Sequence, residues 1–226
     1  MALTLRDLVY DLFNLAKIKN DDTTLTKTHL AHIIKTWSAR FITQNYRKAR
    51  LSDVNLTQDL GCVAMEVVDS AEWCDIEIGC TILKSVLQLP TAIETDDKPL
   101  FTFIGSIQKT GPQYQLIPWA RFSWIKHQKY TSKLPYVSLK DGYIYMLIGQ
   151  PKTKAIDKIN IQGIFEDPTE ASRFNHCDGQ SCYTPESRYP IDAAMVPLLR
   201  EMILTKELAV YQKNTEDKDN DNNDKV

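Results

Sequence analysis

The chain contains no run approaching the roughly 18 apolar residues that a membrane helix needs, and no membrane partner is expected. Its opening, Met1-Ala2-Leu3-Thr4-Leu5-Arg6-Asp7, brings in an acid early and has no apolar core followed by a cleavage site, so no signal peptide is expected. Charge of one sign is also missing. Lys and Arg number 27 against 29 Asp and Glu, and a net charge of −2 excludes a chain that binds nucleic acid through its overall field. Glycine is sparse: Gly105, Gly111, Gly142, Gly149, Gly163 and Gly179 stand singly, so no glycine-rich phosphate loop exists. The five cysteines (62, 74, 80, 177, 182) are an odd number without a compact framework, and free thiols in a reducing cytosol are expected. No pair of carboxylates is placed for acid–base work and no nucleophile signature occurs. The sequence therefore predicts no enzyme and no cofactor.

What is present is an ordinary globular chain of 226 residues with 43% hydrophobic content, arranged in three stretches of different period. Residues 3–19 repeat Leu5, Leu8, Val9, Leu12, Phe13, Leu15 and Ala16 at helical spacing. After the polar break 19–24, a second helix is predicted over 26–46. Thr26 or Thr28 would cap it, and Leu30, Ile33, Ile34, Trp37 and Phe41 form its apolar stripe. The period then changes to two. Strands are predicted at 62–67, 80–89, 100–107 and 159–165. The pair Asp141-Gly142, between the β-rich runs of 136–148, has the composition of a tight hairpin turn. From Tyr189 to about Tyr211 an amphipathic helix is predicted, with Pro197 either kinking it or marking the first turn of a helix that starts later. Asn214–Val226 holds five acids, two lysines and four asparagines, and no apolar residue before Val226.

These periods predict an α+β fold. The N-terminal helical hairpin (1–54) and a C-terminal loop and helix (171–213) would form a small bundle. A β-rich insertion (55–170) would form an antiparallel barrel or sandwich. A polar flexible tail (214–226) would follow. The helices have apolar faces with no sequence neighbour to cover them, and packing the three together solves that economically.

Several groups could carry chemistry. His176, Cys177 and Cys182 could supply three zinc ligands, though the spacing is not a common zinc pattern and a loop with free thiols is the simpler reading. His29 and His32, one helical turn apart, have no evident third ligand. Arg40, Arg47, Lys48 and Arg50 form a basic run free of acids, suited to phosphates or to a solvated helix end. Trp119, Arg121, Phe122, Trp124, Ile125, Lys126, His127, Lys129 and Tyr130 interleave aromatics with bases. Core packing, a protein interface and single-stranded nucleic acid compete for that stretch, in that order.

The run 159–171, Ile-Asn-Ile-Gln-Gly-Ile-Phe-Glu-Asp-Pro-Thr-Glu-Ala, resembles a segment of structural proteins in short-tailed bacteriophages. The ending from Tyr189-Pro190-Ile191-Asp192 through Leu208, with its Asp/Asn-rich tail, is similar to the C-terminus of ring proteins in crAss-like phages of gut Bacteroidota. The resemblance implies a head–tail connector or neck subunit of the virion, located in its neck and tail region. It implies a homo-dodecameric ring that meets the portal protein and other neck and tail ring proteins and lets double-stranded DNA pass without specific binding. Assembly would occur in the bacterial host cytoplasm. Under it, Arg40, Arg47, Lys48 and Arg50 become candidate contacts to DNA in the lumen. Trp119, Arg121, Phe122, Trp124, Tyr211, Asp217 and Asp219 become candidate subunit contacts. The competing readings are a small nucleic-acid-binding regulator of a phage and a cysteine or zinc protein.

Overall fold

The computed structural model describes residues 3–19, 25–49, 54–68, 81–95, 98–108, 111–122, 124–125, 134–148 and 156–208. Helix α1 runs Leu5–Lys19 and α2 runs Lys27–Ala49. Thr4 and Asp7 start α1 reciprocally: Asp7 N–H donates to Thr4 Oγ1 and Thr4 N–H to Asp7 Oδ2, both at 3.1 Å. Thr26 caps α2 by accepting from His29 N–H at 3.2 Å.

The predicted apolar stripes become one core. Leu8, Leu12, Leu30, Ile34 and Trp37 meet Tyr189, Ile191, Leu199, Ile203 and Leu208. The bundle of two N-terminal helices and a C-terminal helix therefore exists. Its last helix begins later than the predicted Tyr189: α4 spans Met195–Met202 and continues as a π-helical turn, Ile203–Glu207. Local chemistry explains the late start. Pro190 disfavours helical backbone at the residue before it. Tyr189 N–H is also committed to Leu3 O at 2.9 Å, beside an antiparallel bridge between Thr4 and Arg188. Pro197 thus falls in the first turn, where its missing N–H costs nothing. The Tyr189 ring is fully buried, with its hydroxyl 2.8 Å from Ser38 Oγ.

Between the hairpin and the final helix lies a curled, mostly antiparallel sheet, the barrel-like insertion that the change of period predicts. Its strands are β1 (Gln58–Asp59), β2 (Val63–Val67), β3 (Thr81–Ser85), β6 (Phe101–Gly105), β7 (Gln115–Leu116), β8 (Tyr136–Lys140), β9 (Tyr143–Ile148) and β10 (Lys158–Gly163). A separate ribbon pairs β4 (Glu94–Thr95) with β5 (Lys98–Pro99). The order across the sheet is β1-β10-β2-β3-β9-β8-β7, with β6 on the other edge of β10. β10, from the run with the phage resemblance, is the hub. It pairs antiparallel with β1, β2 and β6 and buries Ile159 and Ile161 completely. The Asp141-Gly142 turn joins β8 to β9 with φ of 53° and 77°, the positive pair that such a turn requires.

The bundle meets the β-rich part through apolar packing and through an ion pair. Ile42 packs on Leu56, Ile93 and Ile164. Lys35 Nζ donates to Asp167 Oδ2 at 2.9 Å and to Thr169 Oγ1 at 2.8 Å. Asp167 also accepts from Thr169 N–H at 2.9 Å and so opens the 3₁₀ turn Pro168–Arg173. Among the described residues, no helix is long and apolar enough to cross a membrane.

Candidate interaction surfaces

The free-thiol expectation is corrected for Cys62 and Cys177 and holds for Cys182, while Cys74 and Cys80 lie outside the described residues. Cys62, just before β2, is disulfide-bonded to Cys177, with Cα atoms 5.2 Å apart. Pairing across 115 residues of sequence separation has no local signal. What brings the two together is Cys62 N–H donating to Asn175 O at 3.0 Å, which lays the 175–182 hairpin against the start of β2. Gly61 permits this approach. Its φ is +64°, and a Cβ there would stand 2.7 Å from Asn175 O and 2.8 Å from His176 Cα. The disulfide removes Cys177 from any zinc set with His176 and Cys182. Cys182 is free, but burial, and then the carboxylates of Asp59 and Asp178, push its thiol up to about 12. A thiol held protonated is a poor nucleophile and a poor metal ligand. Among the described residues no cluster of three or more His, Cys, Asp and Glu side chains could hold a metal ion. His29 and His32 are both exposed on α2.

Of the basic run, Arg40 is exposed and lies over the Trp37 ring, 5.0 Å from its centroid. Arg47 and Lys48 lie in the last turns of α2, where cations complement the helix dipole. Their side chains, and Arg50 altogether, lie outside the described residues, as do Tyr211, Asp217 and Asp219.

The aromatic stretch divides. Trp119 and Phe122, on the one-turn helix α3 (Trp119–Phe122), stack with centroids 5.1 Å apart. Trp119 also meets Tyr145 edge-on at 5.2 Å. Phe122 is fully buried against Ile82, Tyr145 and Leu147, so its side chain is spent inside the chain. Arg121 and Trp124 face solvent, Trp124 at 71% exposure. Val67 is exposed too, at 65%. Lys126, His127, Lys129 and Tyr130 lie outside the described residues.

The sequence does not reveal a third surface. A groove of about 540 Å³ runs between α1, α2, the 3₁₀ turn and the 183–185 segment. Leu5, Val9, Ala31, Tyr183 and Pro185 give it an apolar lining. At its rim the exposed Tyr10 ring carries Lys27 Nζ 4.0 Å and Arg6 Cζ 5.8 Å from its centroid. Lys27 and then Arg6 hold the Tyr10 phenol below its ordinary range. Arg6 also meets Glu186 at 3.4 Å, both side chains being largely exposed. Tyr183 is 4% exposed, and its hydroxyl has no hydrogen-bond partner among the described residues. The residues come from positions 5–31 and 169–185, so only the docking of the bundle on the loop creates the groove.

This is an architecture of surfaces. A helical bundle is bolted to a curled sheet, Cys62, Cys177 and Cys182 are withdrawn, and apolar and aromatic patches face outward, as in a subunit of a larger structural assembly. The sequence profile of the phage tail ring protein 2 family matches residues 7–226, and the chain belongs to that family. It is similar to Ring protein 2 of Bacteroides phage crAss001, 25% identical over 235 residues that cover 98% of this chain and 97% of that protein. The chain is thus a phage tail ring protein, a structural component of the virion tail region that assembles as a ring.

Proposed function

We propose that this ring is a closed ring of twelve copies in the head–tail connector, below the portal. It would join the portal to the remaining neck and tail proteins, line part of the DNA passage and catalyse no reaction. The observation that carries the reading is the family match over residues 7–226 on a chain with two dissimilar halves. A cyclic ring needs heterologous contacts, in which each copy presents two different surfaces. The bundle (within 1–54 and 171–213) supplies one and the β-rich insertion (55–170) the other. Lys35, Asp167 and Thr169 hold the two in fixed relation, which a ring of set curvature requires.

Arg40, Arg47, Lys48 and Arg50, on and just after one end of α2, are the proposed lumen contacts. Trp119, Arg121 and Trp124 are proposed at subunit contacts, with Tyr211, Asp217 and Asp219 of the tail. A passage for DNA should hold phosphates weakly, and a near-neutral chain with one short basic run suits that. Assembly in the bacterial host cytoplasm belongs to the same reading.

Quantitative mass spectrometry of purified particles, scaled to the portal protein, tests the placement. One copy, or a small whole-number multiple, per portal subunit is expected. Absence from the particle overturns the reading.

A further inference from the structure

We propose that the groove between α1, α2 and the 183–185 segment is the seat for the C-terminal segment, residues 209–226, of a neighbouring copy of this chain. The inference rests on the ring reading above and names the contact that would link one copy to the next.

Complementarity of order and charge argues for this occupant. The floor, formed by Val9, Ala31, Tyr183 and Pro185, is apolar, and Lys27 stands at the rim with no carboxylate partner among the described residues. The segment after Leu208 opens with Ala209-Val210-Tyr211, the apolar part, and then carries five acids, beginning at Glu216, against three lysines. An apolar anchor followed by acids fits an apolar floor with a cationic edge.

The second observation is the length of chain beyond Leu208, residues 209–226. Within one copy the segment is long enough to reach the groove. Glu207 is tied to Trp37, whose Nε1–H donates to Glu207 Oε1 at 2.9 Å. Trp37 lies about 15 Å along α2 from Lys27 at helical rise, and residues 209–226 can extend to about 60 Å. Seating in the same copy would fill the groove without joining subunits. Seating in the next copy gives the unlike pair of surfaces that a ring requires.

The test uses full-length protein with a benzophenone-bearing amino acid in place of Tyr211, assembled with ¹⁵N-labelled copies and irradiated. Crosslinks joining light and heavy copies are expected within Leu5–Tyr10 or Tyr183–Pro185. Lys27→Glu, at an exposed position, should cut their yield about tenfold, while Lys27→Arg should retain it. Crosslinks confined to a single copy overturn the inference, as do light–heavy crosslinks mapping elsewhere or a yield indifferent to Lys27→Glu. Sedimentation of the same samples separates the two claims. A ring that forms while Tyr211 crosslinks elsewhere removes only the groove inference. A chain that stays monomeric at all concentrations removes the ring reading with it.

Discussion

The hydroxyl of Tyr189 sits in the middle of the bundle with one route to satisfaction. Ser38 Oγ–H donates to Lys35 O at 2.9 Å, which leaves the serine oxygen to accept from the phenol. Ser38→Ala should therefore strand a buried donor and cost about 1–3 kcal/mol. Tyr189→Phe leaves Ser38 paired to Lys35 O and should cost less, about 0.5–1.5 kcal/mol. Denaturant unfolding of the two variants checks the ranking, and equal losses would mean the phenol is satisfied in another way. Asp167 makes a residue-scale prediction about pH. Burial pushes its carboxyl up, but the hydrogen bonds from Thr169 and Lys35 together outweigh burial and hold it below the ordinary carboxylate range. A carboxyl depressed on folding stabilises the protein above its unfolded value, near 3.9, and that contribution is lost as pH falls through the folded value. The stability gap between the native chain and Asp167→Asn should be largest near neutrality and shrink below about pH 4. A gap that is constant down to pH 2 would show that the carboxylate charge contributes nothing.

At the scale of elements, two glycines with positive φ mark different constraints. The three atoms nearest a Cβ on Gly142 all belong to the flexible Gln88 side chain, the first at 2.6 Å. Gly142→Ala should thus cost mainly the backbone strain of the turn, about 1–2 kcal/mol. On Gly61 the same atom would strike backbone of the 175–176 segment. Gly61→Ala should cost more than Gly142→Ala and should loosen the hairpin that carries Cys177. Thermal melts of both variants, with peptide mapping of the Cys62–Cys177 bond, test the order. The two positions also differ in legibility. Gly142 follows an aspartate between two β-rich runs, so its turn can be read from neighbouring residues. Gly61 is demanding because of Asn175 and His176, more than a hundred positions away, and nothing beside it in the chain reports that.

For the molecule as a whole, the polar tail gives the cleanest contrast between folding and assembly. Deleting Asn214–Val226 removes no apolar side chain but Val226, so the melting temperature of the isolated subunit should move by no more than about 1 °C. Ring formation, measured by sedimentation, should weaken. A truncated chain that assembles normally would reduce the tail to a solubilising end. The DNA contact also belongs to this scale. Reversing Arg47, Lys48 and Arg50 together should leave subunit folding intact and reduce the salt-dependent retention of DNA by assembled rings. Retention unchanged by the triple reversal would place the basic run outside the passage.

Local pattern in the sequence was enough for the two N-terminal helices, the strands around Val63–Val67 and Phe101–Gly105, the Asp141-Gly142 hairpin and the need for three helices to share one core. Each depends on spacing or turn chemistry within a few residues, which the chain carries wherever it goes. The run 159–171 and the ending after Tyr189 also carried the family. Tertiary structure decided the rest. It drew Tyr189 out of the final helix, because Leu3 claims its N–H, and it made β10 the hub of the sheet. It joined Cys62 to Cys177 and split the aromatic stretch into a buried Phe122 and an exposed Trp124. It also opened a groove between residues 5–31 and 169–185. These features arise where distant segments meet, and the energy that selects them comes from burial and hydrogen bonding across the fold, so no window along the chain contains it.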